Sequence, residues 1–263
     1  MRLFRYCSIM LVVATVCCSV LQADVLYDGS MNSLPGAQGW YYVTSPFSGA
    51  LASQSVGGGA TRLDTTAAIG ESAGYFSDLP IAPTHPGVGV LDTAAGFALK
   101  FTAQLITEDH SLSANRAGFS VIVLDSNAKG VELGFWLNEI WAQTDSPLFT
   151  HSPLEQAAFD TTAALTQYTL TFQAGSYSLS AGGSPIFGGV LKDYSAFDHV
   201  TAGLPYDPYE QSNFVFFGDD TGSASADVKI SRVELVPEPA TAGVLLAGFA
   251  MTLIRRRRTT VAR

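Results

Sequence analysis

Cysteine is nearly missing from this chain: its 263 residues hold three, Cys7, Cys17 and Cys18. Everything after residue 18 therefore has no disulfide framework, no thiolate metal site and no cysteine nucleophile. Basic side chains are also scarce, with 14 Lys and Arg against 23 Asp and Glu. Half of them, Arg2, Arg5, Arg255, Arg256, Arg257, Arg258 and Arg263, lie at the two ends. Residues 24–235 keep seven basic against 22 acidic side chains, a net charge of −15. A surface of that sign repels phosphate backbones and anionic lipids, which argues against nucleic acid as a partner. Neutral polysaccharide and divalent cations suit it better.

Signatures of catalysis are missing as well. The histidines His85, His110, His151 and His199 stand apart, without the His-x-x-x-His spacing that brings two imidazoles to one metal, and are expected on surface loops. No Glu-x-Asp-x-x-Glu run occurs, the pattern that would set two carboxylates roughly 5 Å apart for retaining glycoside hydrolysis. Glu132 and Glu139 are seven apart and are expected on different strands, facing solvent. There is no Gly-x-Ser-x-Gly elbow and no phosphate-binding loop ending in Lys-Ser or Lys-Thr. A non-enzymatic protein is the expectation that follows.

Long apolar runs occur at the ends. Arg2 and Arg5 precede an apolar run over 9–16, and Leu21-Gln22-Ala23 supplies a small-residue cleavage site, so residues 1–23 read as an export signal and Asp24 as the first mature residue. Acylation at Cys17 or Cys18 is the rival reading, although Val16 and Cys17 are poor matches for the small residue such a site takes. At the other end, Val236-Pro237-Glu238-Pro239-Ala240-Thr241 leads into an apolar stretch over 242–254 and then four arginines. That stretch is shorter than the roughly 20 residues of a comfortable bilayer span, though snorkelling arginines make a thinner crossing feasible. The arginines would stay cytoplasmic and leave the body outside. Both apolar ends are expected as helices.

This ordered tail, residues 236–263, resembles the PEP-CTERM sorting signal, in which a Pro-Glu-Pro motif, a membrane segment and an arginine cluster are recognised together by an exosortase. Pro237, Glu238 and Pro239 match the motif position by position, and Arg255, Arg256, Arg257 and Arg258 complete it. The resemblance implies a Gram-negative producer of exopolysaccharide and transient anchoring in the inner membrane. It further implies processing by signal peptidase and an exosortase-type enzyme, with a final place at the cell surface or in the extracellular matrix. A plain C-terminal membrane anchor is the alternative.

Between the ends, residues 24–235 read as one all-β domain without a long linker. Segments 97–105, 118–124, 131–136, 139–142, 168–172, 176–181, 213–217 and 227–236 are short, rich in aromatic and β-branched residues, and separated by turn formers. A helical turn is expected only around 153–159. Turn residues at 125–130 and at Leu137-Asn138 predict hairpins. In the second, Phe135 faces Ile140 and Gly134 faces Trp141, the glycine making room for the indole. Two stacked antiparallel sheets are the economical way to cover each apolar face. The block 118–143 and the late Phe216-Phe217-Gly218-Asp219-Asp220-Thr221 resemble concanavalin A-like, laminin-G-like jelly rolls, a resemblance that implies a jelly-roll-like sandwich and leaves activity open.

Two candidate sites follow from residue type. Tyr206 and Tyr209, bracketed by prolines, are expected as exposed loop aromatics able to stack on sugar faces of an exopolysaccharide, with Trp136, Trp141 and Trp40-Tyr41-Tyr42 as further aromatics. Asp219 and Asp220, with Asp125 and Asn127 as a second acidic turn, offer hard oxygen ligands to calcium without matching an EF-hand loop. No other cofactor is expected.

Overall fold

The computed structural model describes residues 23–44, 51–67 and 70–237. The two terminal helices expected from the sequence, together with Glu238, Pro239 and Arg255 to Arg258, lie outside the described residues, and Pro237 is the last residue of the final strand.

Among the described residues, fifteen strands form two antiparallel sheets packed face to face, the sandwich that the pattern predicts. They are β1 (Asp24–Asp28), β2 (Tyr41–Thr44), β3 (Ser53–Gly57), β4 (Ala60–Asp64), β5 (Ala73–Phe76), β6 (Phe97–Asp109), β7 (Ser120–Leu124) and β8 (Gly130–Phe135). Then follow β9 (Glu139–Asp145), β10 (Leu148–Ala158), β11 (Thr166–Gln173), β12 (Ser176–Ala181), β13 (Ser184–Val190), β14 (Phe214–Asp219) and β15 (Ser225–Pro237). One sheet has the order β13-β12-β11-β6-β15-β4-β3, with β1 also on β15; the other has the order β10-β9-β8-β7-β14-β5-β2. Because β14 sits between β7 and β5 and β15 between β6 and β4, the chain crosses repeatedly from one sheet to the other, as in a jelly roll.

The period-2 pattern explains the packing. Along β6, Phe97, Leu99, Phe101, Ala103 and Leu105 are buried between the sheets, while Lys100, Thr102 and Gln104 lie half-buried on the outer face. Phe101 meets Phe135 and Phe217 of the opposite sheet edge-on, joining the two layers in one core. β15 pairs with β6 along its whole length, and its other edge is shared by β4 and β1. At the end of β1 a Cβ on Gly29 would lie 2.9 Å from the Ser231 carbonyl oxygen, so only glycine lets the two backbones approach there.

The β8–β9 hairpin has the expected register, Phe135 opposite Ile140 and Gly134 opposite Trp141. A Cβ on Gly134 would sit 2.6 Å from the Trp141 ring. One local expectation is corrected: residues 153–158 belong to strand β10, not to a helical turn. β10 is an edge strand whose pairing with β9 shifts register twice, so its burial alternates irregularly and hides the strand period.

The two sheets differ on their outer faces. Every residue of β7, β8 and β14 is buried, because residues 191–213 lie across that side of the seven-stranded sheet. The covering segment is pinned at its start by the bridge between Lys192 and Gly130, and at its end by the Asn213 amide, which donates to the Asp125 carbonyl. Its Tyr194 and Tyr209 join Ile122, Leu124, Phe214 and Phe216 in a second apolar cluster, against which Phe197 packs.

Candidate functional site

Strand register dictates what the covered face presents. Across it runs one row of large side chains, Tyr41, Phe76, Phe216 and Ile122, ending at Glu132. The adjacent row, Val43, Gly74, Gly218, Ser120 and Gly134, is mostly small and ends at Trp141. The small row lets rings from the large row lie over it: a Cβ on Gly74 would strike Phe216. Between this floor and the covering segment a cavity of about 610 Å³ remains, walled by Phe76, Phe149, Phe197, Leu204, Tyr206 and Phe216. That volume lies within the range of small-ligand sites, which are concave and largely apolar with a few polar groups.

The polar groups gather at one end. Arg116, from the loop between β6 and β7, donates from Nη2 to Asp220 Oδ2 at 2.6 Å, and its Nη1 lies 3.6 Å from Glu132 Oε1. Its guanidinium also lies 5.1 Å from the centroid of the Phe149 ring. Tyr209 donates its hydroxyl to Glu132 Oε2 at 2.5 Å and lies 3.4 Å from Asp220 Oδ2. Tyr194 accepts from the Glu132 amide and donates to the Gln143 carbonyl. Two carboxylate oxygens in this group, Glu132 Oε1 and Asp220 Oδ1, are buried without a hydrogen-bond donor.

Burial governs the charge states. It pushes the Glu132 carboxyl up to about 8, the nearby Asp220 charge adding to the rise and Arg116 opposing it. Burial likewise raises Asp219 well above the carboxylate range and Tyr209 well above an ordinary phenol. For Arg116 burial acts in the opposite direction, but the charges of Asp220 and Glu132 outweigh it and hold the guanidinium protonated. The end of the cleft therefore holds Arg116 paired with Asp220 beside Glu132, whose carboxyl retains its proton at neutral pH.

A second aromatic group sits past the Arg116 loop. Trp136 is stacked with His110, centroid to centroid 4.0 Å, and with His151 at 5.0 Å, and its indole N–H donates to the Arg116 carbonyl. His110 Nδ1 lies 2.8 Å from Glu108 Oε2, and His151 Nε2 lies 3.3 Å from Glu139 Oε1. Trp136 is thus engaged by two imidazoles, while Trp40 and Trp141 are buried in the interior.

Several sequence-based expectations change. Tyr206 is half-buried in the cleft wall, but Tyr209 is no exposed loop aromatic: it is 4% accessible and packed among Phe149, Phe197 and Tyr194. Asp207 caps the Tyr209 amide at 2.8 Å and Pro208 opens a short 3-10 turn, which directs the ring inward. Glu132 is fully buried, not solvent-facing, because the covering segment closes over its strand. His85 is buried too, its Nε2 3.1 Å from the Leu26 carbonyl. Asp219 accepts from the Thr65 hydroxyl and the Thr221 amide, and Asp220 binds Arg116, so the carboxylates offered to calcium already have protein partners. Asp125, from the second acidic turn, accepts from the amides of Asn127 and Lys129. Among the described residues no three His, Cys, Asp or Glu side chains gather as a metal-holding group.

Phe149 and Phe197 carry no local sequence pattern that sets them apart from core aromatics. Arg116 alone carried a signal, as one of seven basic residues in a strongly acidic domain and set directly before the apolar strand that begins β7.

No family model matches the chain, and no curated protein does. Among solved structures it is similar to a carbohydrate esterase from the Shiga toxin-encoding bacteriophage phi24B, 16% identical with a TM-score of 0.49, covering 83% of this chain and 98% of that one. It is also similar to a cellulose-induced protein, 12% identical with a TM-score of 0.47 over 76% of this chain and 91% of that one. A Bacillus subtilis protein of unknown function with a galectin-like fold is 10% identical with a TM-score of 0.46, over 81% and 96% of the two chains. These likenesses are of fold: an antiparallel two-sheet β-sandwich.

Proposed function

We propose that this chain is an exported, non-enzymatic saccharide-binding protein of the cell surface or extracellular matrix, delivered through signal peptidase and an exosortase-type enzyme with exopolysaccharide as its ligand. The observation that carries the binding part is the cleft of about 610 Å³, whose aromatic and aliphatic walls end in a buried ion pair. Apolar ring faces supply contact area for the C–H faces of sugars, and a few fixed polar groups at one end orient them. Export and sorting rest on the ordered sequence features at 1–23 and 236–263. The non-enzymatic part is supported by Glu132, whose carboxyl holds its proton at neutral pH yet is shut behind Arg116 and Tyr209 with no accessible surface.

The test blocks the cleft without touching its floor. Gly222 lines the cavity, and the nearest atom to a Cβ placed there is the Gly70 Cα at 3.6 Å, so a side chain fits. The Gly222→Trp variant of the full chain should keep its unfolding midpoint and lose retention on the producer's exopolysaccharide in affinity electrophoresis. Undiminished retention would move the binding site elsewhere.

A polysaccharide-active enzyme is the second reading, favoured by the short hydrogen bond from Tyr209 to a carboxyl poised near neutrality. Release of reducing ends or unsaturated sugars by the wild type, abolished in Glu132→Gln, would establish it over the first.

A further inference from the structure

Resting on the saccharide reading above, we propose that the cleft is built for uncharged or amino-bearing sugar units and rejects uronate and sulfated ones. Among the residues lining it, three carry ionisable charge: Arg116, Asp219 and Asp220. Arg116 is the single cation among them; its Nη2 donates to Asp220 at 2.6 Å and its Nη1 lies 3.6 Å from Glu132, with Phe149 beside the guanidinium. Only 14% of its side chain is accessible. An incoming carboxylate would have to share that one cation with Asp220 in an apolar cleft, and the like-charge contact makes the exchange costly.

Hydrogen-bonding capacity points the same way. Asp220 Oδ2 accepts from Arg116 and lies 3.4 Å from the Tyr209 hydroxyl, and the proton held by Glu132 is a further donor toward Asp220, so the groups presented at the polar end are carboxyl oxygens. Tyr209 is spent on Glu132, and the hydroxyls of Thr221 and Ser223 bond to each other. A ligand group entering here gains by donating, as a hydroxyl or an ammonium does and a carboxylate or sulfate cannot. The long-range field agrees, since residues 24–235 carry a net charge of −15.

The experiment is isothermal titration of the full-length chain at low salt with three β-linked hexasaccharides: a neutral glucan, chitosan and an oligouronate. The neutral and amino hexamers should bind, and the oligouronate should bind at least about tenfold more weakly, as expected for a like-charge mismatch. In Asp220→Asn, which keeps shape and frees Arg116, the disadvantage of the oligouronate should shrink and the hold on chitosan weaken. Equal or tighter oligouronate binding by the wild type overturns the charge selection while leaving saccharide binding in place. Failure of all three hexamers to bind overturns the saccharide reading and this inference with it. Should Asp220→Asn fail to fold, the wild-type ranking alone decides.

Discussion

The two outer faces of this sandwich are both built on antiparallel strands and come to opposite ends. On the eight-stranded sheet, β11 and β12 alternate between the core and solvent, and their outward side chains are Ser, Thr and Gln. On the seven-stranded sheet, β7, β8 and β14 are buried on both sides. The outward positions of the second sheet hold Ile122, Leu124, Phe214 and Phe216, and among them Glu132, a group that burial alone would keep neutral. What separates them is one segment, 191–213, laid over one face. Covering a face removes water from whatever charge it carries, so charge there must be paired, protonated or offered to a ligand. A cleft with perturbed acids follows from that cover, and a plain solvated sheet follows from its absence.

The contrast is broken most forcefully at Arg116. Replacing it with Met removes the one cation of the covered face and strands Asp220, and loss of one partner from a buried pair costs about 3–5 kcal/mol. Urea unfolding measures it; a loss below about 1 kcal/mol would mean that the pair is well solvated.

Protonation sharpens the comparison next. Glu132 carries an ordinary value of 4.5 in the unfolded chain and about 8 when folded. Below 4.5 both states hold the proton and the stabilising contribution is complete. As pH rises from there the unfolded state releases the proton first, so stability falls, by at most about 1.4 kcal/mol per unit, until the folded group ionises near 8. Asp219 shifts in the same direction. Unfolding midpoints from pH 5 to 9 should therefore decline, and Glu132→Gln should flatten the decline; an unchanged slope in that variant assigns it to other groups.

Tyr209→Phe is milder. It keeps the ring among Phe149 and Phe197 and removes the hydroxyl that Glu132 accepts from, a loss of about 1–3 kcal/mol. Tyr206→Ala, in the wall, should reduce saccharide retention more than stability. On the open face, Ser178→Ala should change stability by no more than about 0.5 kcal/mol and leave retention alone.

How much of this was legible in the sequence follows the same division. The strands from β6 onward, apart from β10 and β13, were readable because aromatic and β-branched residues recur there between turn formers, and the Gly134–Trp141 pairing was readable because hairpin register fixes which small residue faces which large one. The strands before β6 were not marked, being four or five residues long and broken by Gly, Ser and Thr. Expectations for Tyr209 and Glu132 failed for a tertiary reason. Each looks solvent-facing in its own segment, and only the fold of 191–213 over β8, some 60 to 80 residues away in sequence, brings the two together. Arg116 was hidden for the same reason, since its partners come from β8 and from the residue after β14.

The central claim is that the covered face is the ligand face. Hydrogen exchange of the full chain, with and without the producer's exopolysaccharide, tests it most directly. Ligand should slow exchange in peptides spanning 197–209 and 214–223 and leave β11 to β13 unchanged. Protection confined to β11 to β13 would place the ligand on the open face and contradict the account.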